Sequence, residues 1–225
     1  RMLTEFTDGT KTQLEMAALS NATNLPVEVE GMHGQEIPLK QLAEKLIPAA
    51  DGGILDFGKG AVVEYVTGDV APGVFAIVKS DSEVITEELD YLKLGHGPYY
   101  LFYRPWHIAS IEAHLSIAEA VLNRQADFQS TYVCTEVVGR AKAELKAGTT
   151  LEGMGGHHFY GWAIPAERAR ELNAVPIGLL QHSTLIVDKP VDEIITYDDI
   201  KIDETRPLVA MRRLQDALVA RGVLG

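Results

Sequence analysis

The run YRPWH at positions 103–107 combines side chains that bind anions with one that transfers protons. Arg104 could hold a carboxylate or phosphate through two parallel hydrogen bonds. A histidine titrates near neutral pH, so His107 could act as a general acid or base. Glu112, one turn after Ile108, could orient His107 or could equally be a solvated helix residue. These residues, together with Tyr103, predict a site for a small anionic or polar molecule. An aromatic interface cluster with a structural arginine fits the same run equally well.

A second group of chemically capable residues lies near the start of the chain, in the motif DGTK at 8–11. Asp8 or Thr10 could cap a helix, whose first amides would point at any ligand bound there. Lys11 would lie in the first turn, where its charge opposes the helix dipole unless an anion or carboxylate is near. Glu15, one turn later, could be that carboxylate. On spacing alone, a capped surface helix with an ordinary i,i+4 ion pair is the favoured interpretation.

Other polar motifs give weaker indications of a functional site. His96 lies between two glycines, so it could reach a substrate from a turn, but a plain turn residue is the favoured interpretation. The adjacent His157 and His158 would point to opposite faces of a strand, and one cysteine provides no zinc motif. The glycine-rich strings at 95–97 and 153–156 lack the strand–glycine–helix frame of a dinucleotide fold. The sequence therefore predicts no metal site and no nucleotide-binding domain within this chain.

The elements that would position these residues follow from hydrophobic periodicity. Residues 99–103 read as a buried strand, and 61–67 with 73–80 as an antiparallel hairpin with a long loop. Helices are predicted from Thr10 to about Asn21, after Pro38, and from about Ile108 to Asn123. The last of these has an apolar side that we expect to be buried, formed by Leu115, Ala118, Val121 and Leu122.

After position 127 the predicted strands become short and the turns frequent. A short helix should begin near Pro165. A final helix from Pro207 to Arg221 should pack back onto a domain through one apolar side, formed by Leu208, Met211, Leu214, Leu218 and Val219. The fold class is therefore α+β: a mixed region over 1–130, a β-rich domain over 131–204 and a C-terminal helix over 205–225.

Composition excludes several classes of function. The chain has 225 residues, 46% of them hydrophobic, and a formal net charge of −12. An acidic surface repels phosphate backbones, so we expect no nucleic-acid partner. The apolar runs are far shorter than the roughly 20 residues of a membrane helix, so we expect no membrane partner either. A single cysteine fits a reducing cytoplasm, and the abrupt start at Arg1 suggests a fragment of a longer protein.

Several strings carry a family resemblance: FTDGTKTQLEMAALSNATN, the GMHG turn, PGVFAIV and YYLFYRPWHIASIEAHLSIAEAVL. They resemble homoserine-dehydrogenase-like oxidoreductases that end in a SAF domain. AKAELKAGTTLEGMGGHHFYG, PIGLL and ITYDDIKI resemble the SAF (β-clip) portion itself. One kind of enzyme in this group is reductoisomerase-like and acts on 1-deoxyxylulose 5-phosphate with NADPH.

The resemblance implies that the chain is the catalytic and C-terminal part of an NAD(P)-dependent oxidoreductase. The dinucleotide would be bound mainly by an N-terminal Rossmann domain that this chain lacks, so the chain alone should be inactive. Asp8, Lys11 and Glu15 would line the substrate side near the nicotinamide, and Tyr103, Arg104 and His107 would close the pocket. The substrate would be a small polar hydroxy or carbonyl compound, phosphorylated in some members, and a homo-oligomer is compatible with this group.

Within that picture, Lys11 would polarise the substrate oxygen or relay its proton, because an ammonium stabilises a developing alkoxide. Arg104 would hold a phosphate or carboxylate, and His107 is the alternative proton relay. A different class of function also remains open. A SAF module can act as a non-enzymatic ligand-binding or assembly element, which would not require the DGTK and YRPWH motifs.

Overall fold

The computed structural model describes residues 4, 7–56, 58, 60–126 and 128–224. The α-helices are α1 (Thr10–Thr23), α2 (Leu42–Lys45), α3 (Glu83–Tyr91), α4 (Ala109–Ala118), α5 (Ala166–Glu171), α6 (Ile177–Leu180) and α7 (Pro207–Ala220). The strands are β1 (Val74–Lys79), β2 (Tyr99–Arg104), β3 (Thr135–Ala141), β4 (Phe159–Pro165), β5 (Thr184–Leu185) and β6 (Ile200–Lys201). Helices and small antiparallel sheets confirm the predicted α+β class.

The chain divides into two compact units. The first unit comprises Arg1–Met32, Ala61–Glu64 and Ser130–Gly225, and the second comprises His33–Gly60 and Tyr65–Gln129. The first 32 residues thus belong with the C-terminal part of the chain. The assignment of 1–130, 131–204 and 205–225 to a catalytic region, a SAF domain and a terminal helix stays a prediction.

In the first unit, β3 and β4 pair antiparallel with Gly139 opposite Gly161. Helix α1 lies along β4, and α5 follows β4 directly. Part of the core consists of buried side chains from β3, β4, α5 and the turn after α5, namely Val138, Ile164, Ala169 and Ala174. Helix α7 packs on this unit, as expected, with Val209 fully buried and Arg212 paired to Glu136 of β3.

In the second unit, β1 and β2 pair antiparallel with Val74 opposite Arg104. Helix α3 lies in the connection between them. The strand predicted at 99–103 is confirmed, but it is only partly buried, because Tyr100 is fully buried whereas Phe102, on the same face of the strand, is exposed.

The predicted hairpin between 61–67 and 73–80 is wrong. The partner of β1 is β2, and residues 61–67 make only isolated bridges, from Val63 to Val27 and from Thr67 to Glu36. Alternating apolar residues indicate an extended backbone, but the partner depends on contacts that are distant in sequence.

The predicted burial of two apolar helix faces is also wrong. Leu122, in the π-helical turn Glu119–Asn123 that follows α4, is 78% exposed, and Leu115 and Val121 are exposed as well. On α7, Met211 is 67% exposed. Periodicity identifies side chains that share a face, but it does not determine whether another element covers that face.

Candidate active site

The turn before α1 is built by Asp8 and Gly9. Gly9 adopts a left-handed backbone with φ 79°, a conformation that glycine reaches without steric cost. The Oδ1 atom of Asp8 accepts a hydrogen bond of 2.9 Å from the Thr10 amide. The N-cap residue is Gly9, so the prediction that Asp8 or Thr10 caps the helix is wrong, and Asp8 satisfies the Thr10 amide from the position before the cap.

The other carboxylate oxygen of Asp8 pairs with Lys142. The Nζ–Oδ2 distance is 2.5 Å, and the side chains of Lys142 and Asp8 are 17% and 13% exposed. Lys142 also donates a 2.8 Å hydrogen bond to the carbonyl of Gly156. Burial raises the pKa of Asp8, but hydrogen bonds from Lys142 and Thr10 outweigh it, so the pKa lies below its ordinary value. The pair is therefore a charged contact largely shielded from water.

Lys142 is a site residue that sequence reasoning missed. It follows the last residue of β3, and its amide donates a 2.9 Å hydrogen bond to the carbonyl of His158, just before β4. The antiparallel pairing of Ala141 with Phe159 sets this position. The only sequence signal was a lysine within a region of short predicted strands, and that signal does not identify Asp8 as its partner.

The loop GMGGHH at 153–158 lies next to this ion pair. The Glu152 amide donates a 3.1 Å hydrogen bond to Nδ1 of His158. In the neutral tautomer compatible with this bond, the ring hydrogen is on Nε2. The His157 amide donates a 3.1 Å hydrogen bond to a carboxylate oxygen of Glu152, while the His157 ring is exposed. Over the residues that the structure describes, no group of His, Cys, Asp and Glu could hold a metal ion.

Lys11 and Glu15 form the predicted i,i+4 pair, with an Nζ–Oε1 distance of 3.4 Å. Both side chains are about two-fifths exposed, at 41% and 44%. Such a pair contributes little to stability. The ammonium of Lys11 is thus held beside a carboxylate and remains accessible from solvent.

The remaining predicted site residues lie in the second unit. The Tyr103 hydroxyl donates a 2.9 Å hydrogen bond to the carbonyl of Val70. The Arg104 guanidinium pairs with Glu112, which also accepts a 3.0 Å hydrogen bond from the Ile108 amide. Glu112 therefore contacts the amide at the start of its own helix and the Arg104 guanidinium.

The two predicted histidines have exposed side chains. The His107 amide donates a 3.2 Å hydrogen bond to the carbonyl of Pro72. Nδ1 of His96 lies 3.5 Å from Oδ2 of Asp90. Asp8, Lys11 and Glu15 therefore belong to one unit, and Tyr103, Arg104, His107 and His96 to the other. A pocket shared by Lys11 and Arg104 stays a prediction.

Comparison with known protein families determines the class of protein to which the chain belongs. Residues 1–113, just over half of the chain, match the model of the catalytic domain of oxidoreductase DRL. The chain belongs to this family. The DRL match includes both the DGTK and the YRPWH motifs, whereas Lys142 and His158 lie beyond it. No curated protein matches the chain.

As a member of the DRL family, the protein is an enzyme with an oxidoreductase catalytic domain. Within the described ranges, the named strands form three two-stranded antiparallel sheets, without a parallel strand–helix–strand unit. These residues do not fit the fold that binds dinucleotides at a glycine-rich turn. In the same part of the chain, no helix is long and apolar enough to cross a membrane.

Proposed function

We propose that this chain supplies the substrate-binding and proton-handling residues of an NAD(P)-dependent oxidoreductase. The substrate is a small polar hydroxy or carbonyl compound, and one with a phosphate or carboxylate suits Arg104. The dinucleotide is bound mainly outside this chain, as the resemblance to homoserine-dehydrogenase-like oxidoreductases implies. Location in the cytoplasm and assembly into a homo-oligomer belong to the same proposal.

The observation that carries this proposal is the largely buried ion pair between Asp8 and Lys142 beside the first turn of α1. Removing two charges from water costs several kcal/mol each, and pairing them offsets that cost only in good geometry. A surface helix requires no such contact at its start. A turn that must present Lys11 in one position would gain from it, and the family match to an oxidoreductase catalytic domain includes this turn.

In the proposed chemistry, Lys11 donates a hydrogen bond from Nζ to the oxygen of the reacting carbon. Negative charge grows on that oxygen when a carbonyl is reduced, and an ammonium that is already in place stabilises it. Asp8 and Lys142 hold the turn. Arg104 clamps a remote anionic group of the substrate, and His107 is the alternative donor or acceptor of the proton.

The resemblance of the C-terminal part to SAF modules supports a different role for that part. The family match ends at residue 113, so it does not cover residues 131–204. This segment remains a candidate ligand-binding or assembly module attached to the catalytic region.

The test uses the full-length natural protein that contains this chain. Consumption of NADPH and of NADH is followed with 1-deoxyxylulose 5-phosphate, its dephosphorylated form and a panel of small aldehydes, and formation of NADPH and of NADH from the oxidised dinucleotides is followed with small hydroxy acids. We expect turnover that depends on a dinucleotide and favours an anionic substrate. Lack of turnover with every substrate and both dinucleotides would overturn the proposal.

A further inference from the structure

Two buried polar side chains lie on the face of α1 that meets β4. Thr10 is 1% exposed and Gln13 is 2% exposed. The Gly161 amide donates a 2.9 Å hydrogen bond to the Thr10 hydroxyl, and the Ala163 amide donates a 2.8 Å hydrogen bond to Oε1 of Gln13. The two side chains therefore accept hydrogen bonds from alternate amides of β4. They occupy the positions that the carbonyl groups of a neighbouring strand would take in a sheet.

The Gln13 amide closes a small ring of hydrogen bonds. Its Nε2 atom donates a 2.8 Å bond to the carbonyl of Gly31, whose own amide donates a 2.7 Å bond to the carbonyl of Ala163. Both polar atoms of the Gln13 side chain are thus satisfied in a buried position. A buried amide without a partner costs about 1–3 kcal/mol, so a shift of the helix that breaks these bonds is unfavourable.

Close packing reinforces this contact. A Cβ atom placed on Gly161 would lie 3.2 Å from Cγ2 of Thr10 and 3.1 Å from Cγ1 of Val137. The lack of a side chain at Gly161 therefore lets Thr10 lie closer to the strand than an alanine at this position would allow. The hydrogen bonds resist motion of the helix away from β4 and along it.

We infer that Thr10 and Gln13 are positioning residues that fix the direction in which α1 presents Lys11. Lys11 follows Thr10 directly, about 100° further around the helix. Two anchors on one face, at positions 10 and 13, prevent rotation about the helix axis. The inference rests on the proposed role of Lys11, and it assigns to these buried residues an effect on the reaction that goes beyond stability.

The test is a double-mutant cycle in the full-length enzyme, with NADPH and the best substrate of the panel described above. Thr10→Val removes the acceptor at nearly constant volume, and Thr10→Ser retains it. Thr10→Val should lower kcat roughly 10- to 100-fold, because small misplacements of a catalytic group have effects of this size. Thr10→Ser should restore most of the activity. In a Lys11→Met background, Thr10→Val should change kcat by less than about twofold, because coupled residues are not additive.

Ser20→Ala is the matched control. Ser20 lies on the same helix as Thr10 but nine positions after Lys11. The substitution removes a buried 2.7 Å hydrogen bond between Ser20 and Thr135 of β3. It should lower the melting temperature as Thr10→Val does, yet leave kcat near that of the unmodified enzyme. Faster exchange of the Gly161 amide hydrogen in Thr10→Val would report the lost bond independently of activity.

The outcomes separate the two proposals. Unchanged turnover in Lys11→Met alone would remove Lys11 from the mechanism, and the positioning role with it. Lys11→Met could lower kcat, and Thr10→Val could then lower it further by the same factor as it does in the unmodified enzyme. That result would overturn the positioning role and leave the proposed function intact. A drop in kcat in Ser20→Ala as large as that in Thr10→Val would also overturn it, since stability alone would then explain the effect.

Discussion

The ammonium of Lys142 lies 2.5 Å from the carboxylate of Asp8, and this contact joins the turn before α1 to the residue after β3. The same ammonium donates to the carbonyl of Gly156, so a third segment converges on it. Three segments that are far apart in sequence thus meet at one largely buried charge. The geometry of the DGTK turn therefore depends on the tertiary fold as well as on the local helix signal.

Lys142→Met should destabilise the protein strongly, because it leaves the Asp8 carboxylate buried without a cation. Breaking one side of a fully buried pair costs about 3–5 kcal/mol, and the cost here should lie at or below the lower end because the two side chains are 17% and 13% exposed. Urea unfolding of the variant and of the unmodified chain measures the difference. Lys146→Met is the control, since Lys146 forms an exposed pair with Asp188, and the loss of an exposed pair should have little effect on stability. An equal decrease in the free energy of unfolding in the two variants would contradict a special role of Lys142 in stability.

Stability should fall at acid pH in a way that depends on Asp8. The pKa of Asp8 is lowered in the folded protein from an ordinary value of 3.8. Its contribution is therefore present above about pH 4 and is lost as the pH falls through the lower folded pKa. The stability difference between the unmodified chain and Asp8→Asn should shrink over that range. Unfolding curves from pH 7 to about pH 2 test this, and a constant difference would assign the effect to another group.

Lys11→Met and Arg104→Ala should have different kinetic effects in the full-length enzyme. Lys11→Met should lower kcat roughly 100-fold or more, as loss of a group that stabilises developing charge does. Arg104→Ala should chiefly raise KM, because a clamp on a remote anion acts in ground and transition states alike. Steady-state kinetics with melting curves decide between a catalytic and a structural role. A collapsed melting temperature in either variant would show that the residue is structural.

Gly31→Ala should destabilise the first unit through two effects. Gly31 has φ 80°, and an added Cβ would overlap the indole ring of Trp162. Gly148→Ala is a matched control, since Gly148 has φ 89° but no atom within 4 Å of the added Cβ. The control isolates the backbone strain, and Gly31→Ala should cost about 1–3 kcal/mol more. Equal free energies of unfolding would mean that Trp162 moves aside without cost.

The sequence by itself determined the elements whose signals are local. The start of α1 follows from Asp8 and Gly9, and the length of α7 follows from Pro207 and a continuous 3.6-residue pattern. The i,i+4 spacing of Lys11 and Glu15 likewise produced the pair that the structure contains. Each of these depends on backbone geometry within a few residues, which the sequence states directly.

Only the tertiary structure determined which distant segments meet. Val74 could have paired with several extended segments, and burial of Tyr100 on β2 accompanies the pairing that occurs. The choice of Lys142 as the partner of Asp8 is of the same kind. Charge and hydrophobic pattern show what a residue can bind, but the partner is set by the balance of packing and hydrogen bonding over the whole fold, and no single stretch of sequence contains that balance.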